Sequence, residues 1–256
     1  MNYFDTHAHL CDEKFDSDRE ALIAALPERG LALCINVACE ADEFDVTRDL
    51  TRRYPFLYGA YGIHPHVASN PGADWEGKLR AALSDDKAVS LGEIGLDYHY
   101  DFSEKPDQKR VFVRQLELAK ELNLPVQLHI REAFGDSMDL LRAHRDGLRG
   151  EMHCFSGSVE TARDCLDLGL YIALGGAVTF ENARKLLDVA AYIPIDRLLV
   201  ETDCPYLTPV PLRGRRNDPS NIPHIIRRLA DIRHDDPERI AQKTLENGKR
   251  LFHISE

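Results

Sequence analysis

Short apolar runs recur along the whole chain, each separated from the next by a longer segment with amphipathic helical spacing. The runs cover residues 3–6, 31–37, 56–61, 88–93, 126–130, 150–154, 170–174 and 198–202. The helical patterns cover 18–29, 41–54, 75–83, 105–122, 136–144, 159–168 and 182–191, and two more, 223–232 and 237–252, close the chain. A short apolar run bounded by turn residues reads as a strand buried on both faces, and strands alternating with helices read as βα units of a parallel sheet. Eight such units in 256 residues match the size of a (β/α)8 TIM barrel. A doubly wound open sheet is the alternative. No linker, repeat or low-complexity segment interrupts the pattern, so one domain, residues 1–256, is expected.

Punctuation supports these elements. Gly30 and Gly169 stand where helices need a left-handed C-terminal residue. Pro125 follows the longest helical pattern, and Asp236 precedes Pro237 as an N-cap before a first-turn proline.

Lys and Arg number 32 against 43 Asp and Glu, a net charge of −11. A protein that coats nucleic acid is usually basic, so a polyanionic substrate would have to be met by local positive charge. The six cysteines (Cys11, Cys34, Cys39, Cys154, Cys165, Cys204) have no CxxC spacing. That pattern disfavours a zinc ribbon or disulfide scaffold and predicts free thiols in a reducing cytoplasm. The N-terminus lacks the basic-then-apolar pattern of an export signal, and no apolar stretch is long enough to span a bilayer.

The ends of the expected strands carry the chemistry. The first leads into His7 and His9, the fourth ends in Glu93, the fifth in His129, the sixth in His153, and the eighth leads into Glu201 and Asp203. Barrel active sites sit at the C-terminal ends of the strands, so these groups should share one mouth. Alternation along a strand puts His7 and His9 on one face, and should turn Cys154 and Cys204 away from it. Imidazole and carboxylate donors suit a divalent metal such as Zn, Mn or Mg. Six donors (His7, His9, Glu93, His129, His153, Asp203) exceed one open tetrahedral site and fit two metal ions about 3.5–4 Å apart.

These segments resemble a known family. Phe4-Asp5-Thr6-His7-Ala8-His9-Leu10, Gly62-Ile63-His64-Pro65-His66, Gly92-Glu93-Ile94-Gly95-Leu96-Asp97, Gln127-Leu128-His129, His153-Cys154-Phe155-Ser156-Gly157 and Glu201-Thr202-Asp203-Cys204-Pro205 are similar, in order and spacing, to the TatD-type metal-dependent deoxyribonucleases of the amidohydrolase superfamily. The resemblance runs from Asn2 to Phe252. It implies one metal on His7, His9, Glu93 and Asp203, and a second on Glu93, His129 and His153, with Glu93 shared. It also implies hydrolysis of DNA by a metal-activated water, with Asp203 and Glu93 catalytic and a 3′-5′ exonuclease-like action on single strands or frayed ends. Cys11 departs from the pattern, standing where the first motif usually carries Asp or Asn, and puts the hydrogen bonding there in question.

Other residues have two readings each. Glu201, on the face of Asp203 one layer deeper, supports the ligands or forms a buried ion pair. His64 contacts a phosphate or bonds to backbone at the rim. Arg131 shares the parity of His129 and could clamp a phosphate with its bidentate fork. Asp97 holds a loop or a ligand. Arg213, Arg215 and Arg216 follow the eighth strand and either bind substrate phosphates or are solvated and paired with neighbours such as Asp218. Amide or ester hydrolysis of a small molecule is the alternative activity for the same donor set, and a binding protein that kept the barrel would have lost ligands.

Overall fold

The computed structural model describes residues 1–100 and 102–255. The strands are β1 (Tyr3–Ala8), β2 (Leu31–Ala38), β3 (Leu57–Tyr61), β4 (Ala88–Asp97), β5 (Val126–Arg131), β6 (Gly150–Met152), β7 (Tyr171–Leu174) and β8 (Leu198–Val200). They form one parallel sheet in chain order. Its edges meet where Ala8 pairs with Cys204, Asp203 N–H donates to His7 O (2.9 Å) and His9 N–H donates to Cys204 O (2.8 Å). The sheet is thus a nearly closed (β/α)8 barrel. The helices between strands are α1 (Arg19–Ala25), α2 (Phe44–Arg53), α3 (Trp75–Leu83), α4 (Lys105–Leu122), α5 (Phe134–Ala143), α6 (Val159–Asp167) and α7 (Arg184–Tyr192), followed by α8 (Ile222–Arg233) and α9 (Pro237–Phe252). None in the described residues is long and apolar enough to cross a membrane.

The barrel interior is layered. Phe4, Ile35, Val37, Ala60, Val89, Tyr171, Ala173 and Leu199 form an apolar floor with Phe252 and Ile254 from the end of the chain. Helix α9 reaches this floor because Gly248 has no Cβ, which would lie 2.5 Å from the Phe4 ring. Above it lies a polar layer. Gln127 donates to Thr6 O (2.9 Å), and the Thr6 hydroxyl donates to Glu151 (3.1 Å). The ionisable side chains come last, at the strand ends.

Several boundaries differ from expectation for identifiable reasons. Pro27 cannot donate an N–H into a helix, so α1 stops at Ala25 and Pro27–Arg29 forms a 3-10 turn capped by Gly30 at φ 98°. Strand β4 continues past Glu93 to Asp97, because β5 keeps pairing with it from Ile94 to Asp97. Strand β6 ends at Met152 and β8 at Val200, and Cys154 (φ 43°) and Asp203 (φ 54°) sit in left-handed turns. Simple alternation therefore fails at those two ends. It also fails in β1, whose register is irregular between Asp5 and Ala8. Neighbouring Thr6 and His7 both reach interior partners there: Glu151 for Thr6 and Glu93 for His7.

Gly95 is where strand geometry and site geometry meet. Its φ is +149°, and a Cβ there would stand 1.9 Å from the carbonyl oxygen of His129. Gly95→Ala should destabilise the protein by at least about 2 kcal/mol through this overpacking. Urea unfolding of the purified variant measures it, and an unchanged midpoint would show that the β4–β5 contact is slack.

Candidate active site

The Glu93 carboxylate lies at the centre of the barrel mouth, 3% exposed. Its Oε2 is 3.4 Å from His7 Nε2 and 3.7 Å from His9 Nε2. Its Oε1 is 2.6 Å from His129 Nδ1, 3.4 Å from His153 Nε2 and 3.6 Å from His64 Nε2. Asp203 Oδ1 stands 3.3 Å from His9 Nε2 and 3.9 Å from His153 Nε2. All six side chains expected to ligate metal are thus within reach of one another, with one carboxylate between two sets of imidazoles. Three-donor groups that could hold an ion include His7, His9 and Glu93; His7, His153 and Asp203; and His64, Glu93 and His129.

The donor chemistry fits a cation. His7 Nε2 and His9 Nε2 face each other at 3.2 Å, and the His7 and His153 rings stack with centroids 3.5 Å apart. Imidazoles crowded this closely repel when charged. Burial, aided by His153, pushes His7 down to about 3, so its ring is neutral with a lone pair to offer. Burial also works against a proton on His9 and His153. Asp203 and Glu93 overcome it at His9 and hold it at about 9, while Glu201 and Glu93 hold His153 at about 10. Glu93 and Asp203 resist the upward pull of burial because His153 and other imidazoles face them, and both lie below the usual carboxylate range.

A second layer of groups orients the first. Glu201 accepts from His153 Nδ1 (3.0 Å) and from the Cys154 N–H (2.7 Å), so its carboxylate backs a candidate ligand. Asp97 faces His129 Nε2 and His66 Nε2 with one oxygen (3.0 Å each) and accepts the N–H groups of His99 and Tyr100 with the other. It therefore holds a ligand and a loop at once. The His66 N–H donates to His64 Nδ1 (3.1 Å), which leaves the hydrogen of a neutral His64 on Nε2, facing Glu93. Burial keeps His64 neutral, down at about 4. At the departure noted in sequence, Cys11 Sγ donates to Val37 O (3.6 Å), the carbonyl that also lies 3.3 Å from His9 Nδ1.

The arginines diverge. Arg216 forms a two-pronged pair with Asp18 (2.7 and 2.6 Å), not with Asp218. Arg213 lies 4.0 Å over the Phe180 ring and donates to Thr208 O. Arg215 is exposed with no side-chain partner among the described residues. Arg131 lies 4.7 Å from the centre of the Tyr100 ring and has no carboxylate partner among them.

All six cysteines are free thiols. Cys204 is buried in the apolar core, but Cys154 contradicts the alternation argument: its left-handed turn brings Sγ into a group with His153 and Glu201. Three further residues at the site were not expected there. Cys39 Sγ lies 3.5 Å from Glu93 Oε2 and 3.8 Å from His9 Nδ1. It stands two residues past the second apolar run, directly after β2, and that position was the available signal. His66 stands in a motif already noted for His64. Glu151, fully buried beside Thr6 and Glu201, is an acid in an apolar run two residues before His153.

A TIM barrel with histidines and carboxylates converging at its mouth defines the metal-dependent hydrolase class. The family model described as "TatD related DNase" matches residues 4–253, and the chain belongs to that family. It is 41% identical over 253 residues to the uncharacterized metal-dependent hydrolase YabD of Bacillus subtilis, covering 98% of this chain and 99% of that one. It is 35% identical over 257 residues to the 3′-5′ ssDNA/RNA exonuclease TatD of Salmonella typhimurium, covering 98% and 99%. The crystal structure of YJJV, a TatD homologue from Escherichia coli, superposes with a TM-score of 0.92 at 33% identity, covering 99% of this chain and 98% of that one.

The protonated imidazoles give a signed expectation. His9 at about 9 and His153 at about 10 must each lose a proton before offering a lone pair to a metal. Metal affinity should therefore rise with pH from neutrality to about 10, with proton release on binding. Calorimetric titration with Mn²⁺ in buffers of different ionisation enthalpy counts those protons; none released at neutral pH would contradict the charge states above.

Proposed function

We propose that this chain is a divalent-metal-dependent phosphodiesterase that shortens DNA from single-stranded or frayed ends, the whole chain acting as one catalytic domain in a reducing cytoplasm. The observation that carries the metal reading is Glu93, whose two oxygens face two separate sets of imidazoles. The family membership and the exonuclease-named relatives support the substrate. In this reading His7, His9 and Asp203 hold one ion, His129 and His153 hold another, and Glu93 is common to both.

When bound, such a pair supplies an acidified water and polarises a phosphoryl oxygen. The chain's own residues do the rest. Asp203, held ionised by His9 and His153, accepts the proton of the attacking water. His64, neutral and with its Nε2–H fixed by the bond at Nδ1, donates to a phosphoryl oxygen. Glu201 keeps His153 in one orientation, and Asp97 does so for His129. Arg131 and Arg215, lacking carboxylate partners, offer positive charge to phosphates that the overall charge of −11 would otherwise repel. Arg216 would first have to leave Asp18, and Arg213 the Phe180 face.

Chelation should abolish hydrolysis of a single-stranded oligonucleotide, and Mg²⁺ or Mn²⁺ should restore it. Asp203→Asn should lose at least about 10²-fold in kcat. Glu93→Ala should bind fewer than two metal equivalents while circular dichroism stays native. Cleavage of small amides or esters by a metal-loaded enzyme that leaves DNA and RNA intact would reject the nuclease reading.

Arg131→Gln should lower the log–log salt dependence of strand binding by about 0.7, the contribution of one phosphate contact on a single strand. Equal slopes for both proteins would remove Arg131 from the phosphate path.

A further inference from the structure

Beside the metal-ligand cluster stands an aromatic step that the hydrolytic chemistry does not use. Tyr100 and Phe102, in the loop between β4 and α4, stack with centroids 5.3 Å apart and planes 1° from parallel. Phe102 is 66% exposed and Tyr100 40%. Water-exposed aromatic surface costs free energy, and a flexible loop would fold such rings inward. This loop is instead pinned at both ends. Asp97 accepts the N–H groups of His99 and Tyr100. The Ser103 hydroxyl donates to His66 O (2.8 Å), and Gln108 donates to Ser103 O (2.9 Å).

The step is coupled to the candidate catalytic residues by direct contact. The His66 ring stands edge-on to Phe102 at 4.9 Å and to Tyr100 at 5.5 Å. His66 shares the Asp97 carboxylate with His129, whose ring is 6.2 Å away. The Arg131 guanidinium lies 4.7 Å from the Tyr100 ring. Parallel exposed rings and a guanidinium without a carboxylate partner, next to the proposed phosphodiester-cleaving centre, are what single strands bind: bases stack on the rings and phosphates meet the cation. The Tyr100 and Phe102 planes are too close to admit a base between them, so the free face of Phe102 is the available surface.

We infer that Phe102, backed by Tyr100, is a stacking platform for a nucleobase of the strand whose phosphodiester reaches the metal-ligand cluster. This rests on the nuclease reading above and adds to it a base-binding subsite. Stacking tolerates any base, so the platform confers a preference for unpaired nucleotides and not for sequence. A paired base presents no free face, which ties the platform to single-stranded or frayed ends.

The test compares a single-stranded DNA oligomer with an otherwise identical oligomer of abasic residues. For wild type, kcat/KM should favour the base-bearing strand. Phe102→Ala should reduce that selectivity at least about fivefold, mainly through KM, the low end of what one stacked base contributes. Phe102→Leu, which keeps apolar bulk without a π-face, should lose it too, and Phe102→Trp should keep it. A 2-aminopurine at the 3′ end, read in the slow Asp203→Asn background with Mg²⁺, should be quenched on binding and should brighten when Phe102→Ala is added. If wild type cuts the strand and all three Phe102 variants keep its selectivity and quenching, the platform is overturned and the nuclease reading stands. If wild type cuts neither oligomer, the nuclease reading itself falls, and the platform with it.

Discussion

Glu93 is the carboxylate on which the mouth of the barrel depends. It is buried, ionised and faced by imidazoles from β1, the loop after β3, β5 and the turn after β6. A carboxylate in that position is tolerable only because positive charge surrounds it. Protons on His9 and His153, which the facing carboxylates hold above the usual imidazole range, supply part of that charge. The strands hold these side chains in place. Gly95 shows how tightly: the backbone of β4 passes so close to His129 that no side chain fits.

The barrel converts that electrostatic burden into a layered solution. Apolar residues fill the floor and contribute the burial that stabilises the fold. Thr6, Gln127, Glu151 and Glu201 form a polar layer between floor and mouth. Two acids share this layer, and burial pushes both carboxyls up. Glu201 spends both oxygens on His153 and Cys154. Glu151 has one oxygen on Thr6 and the other without a hydrogen-bond partner, as is Nδ1 of His7. His7, Glu151 and Glu201 lie within reach of one another, so the ligand layer and the layer beneath it are electrically continuous.

Much of this was legible in sequence because two periodicities carried it. Apolar runs separated by amphipathic helices encode the barrel, and a strand-end position encodes membership of the mouth. That sufficed for His7, His9, Glu93, His129, His153 and Asp203 to be grouped. What failed was side-chain direction just past a strand end. Cys154 was expected to face away, and a left-handed turn at φ 43° brought it round. Glu151 drew no expectation and Cys39 only that of a free thiol, because an isolated Glu or Cys in or beside an apolar run carries no period. The three arginines looked like one cluster because they are adjacent in the chain, yet in space each has a different environment: Asp18, the Phe180 ring, and solvent.

The ligand set alone does not choose a substrate. Paired cations polarise a carbonyl as readily as a phosphoryl group, and the chain is similar both to exonuclease-named proteins and to hydrolases without an assigned substrate. Discrimination must therefore come from groups that touch the substrate away from the reacting atom, where binding energy separates one molecule from another. On this barrel those groups sit on loops at the strand ends. The loop after β4 presents Tyr100 and Phe102, the end of β5 presents Arg131, and the loop after β8 presents Arg215. Asp97 joins the first of these loops to a candidate metal ligand with a single carboxylate. The two oxygens of that carboxylate divide the work, Oδ1 on the loop and Oδ2 on His129 and His66. In the reading proposed above, substrate contact and metal ligation therefore meet at Asp97, and loop exchange between relatives would keep that arrangement only if Asp97 and the four hydrogen bonds of its carboxylate came with it.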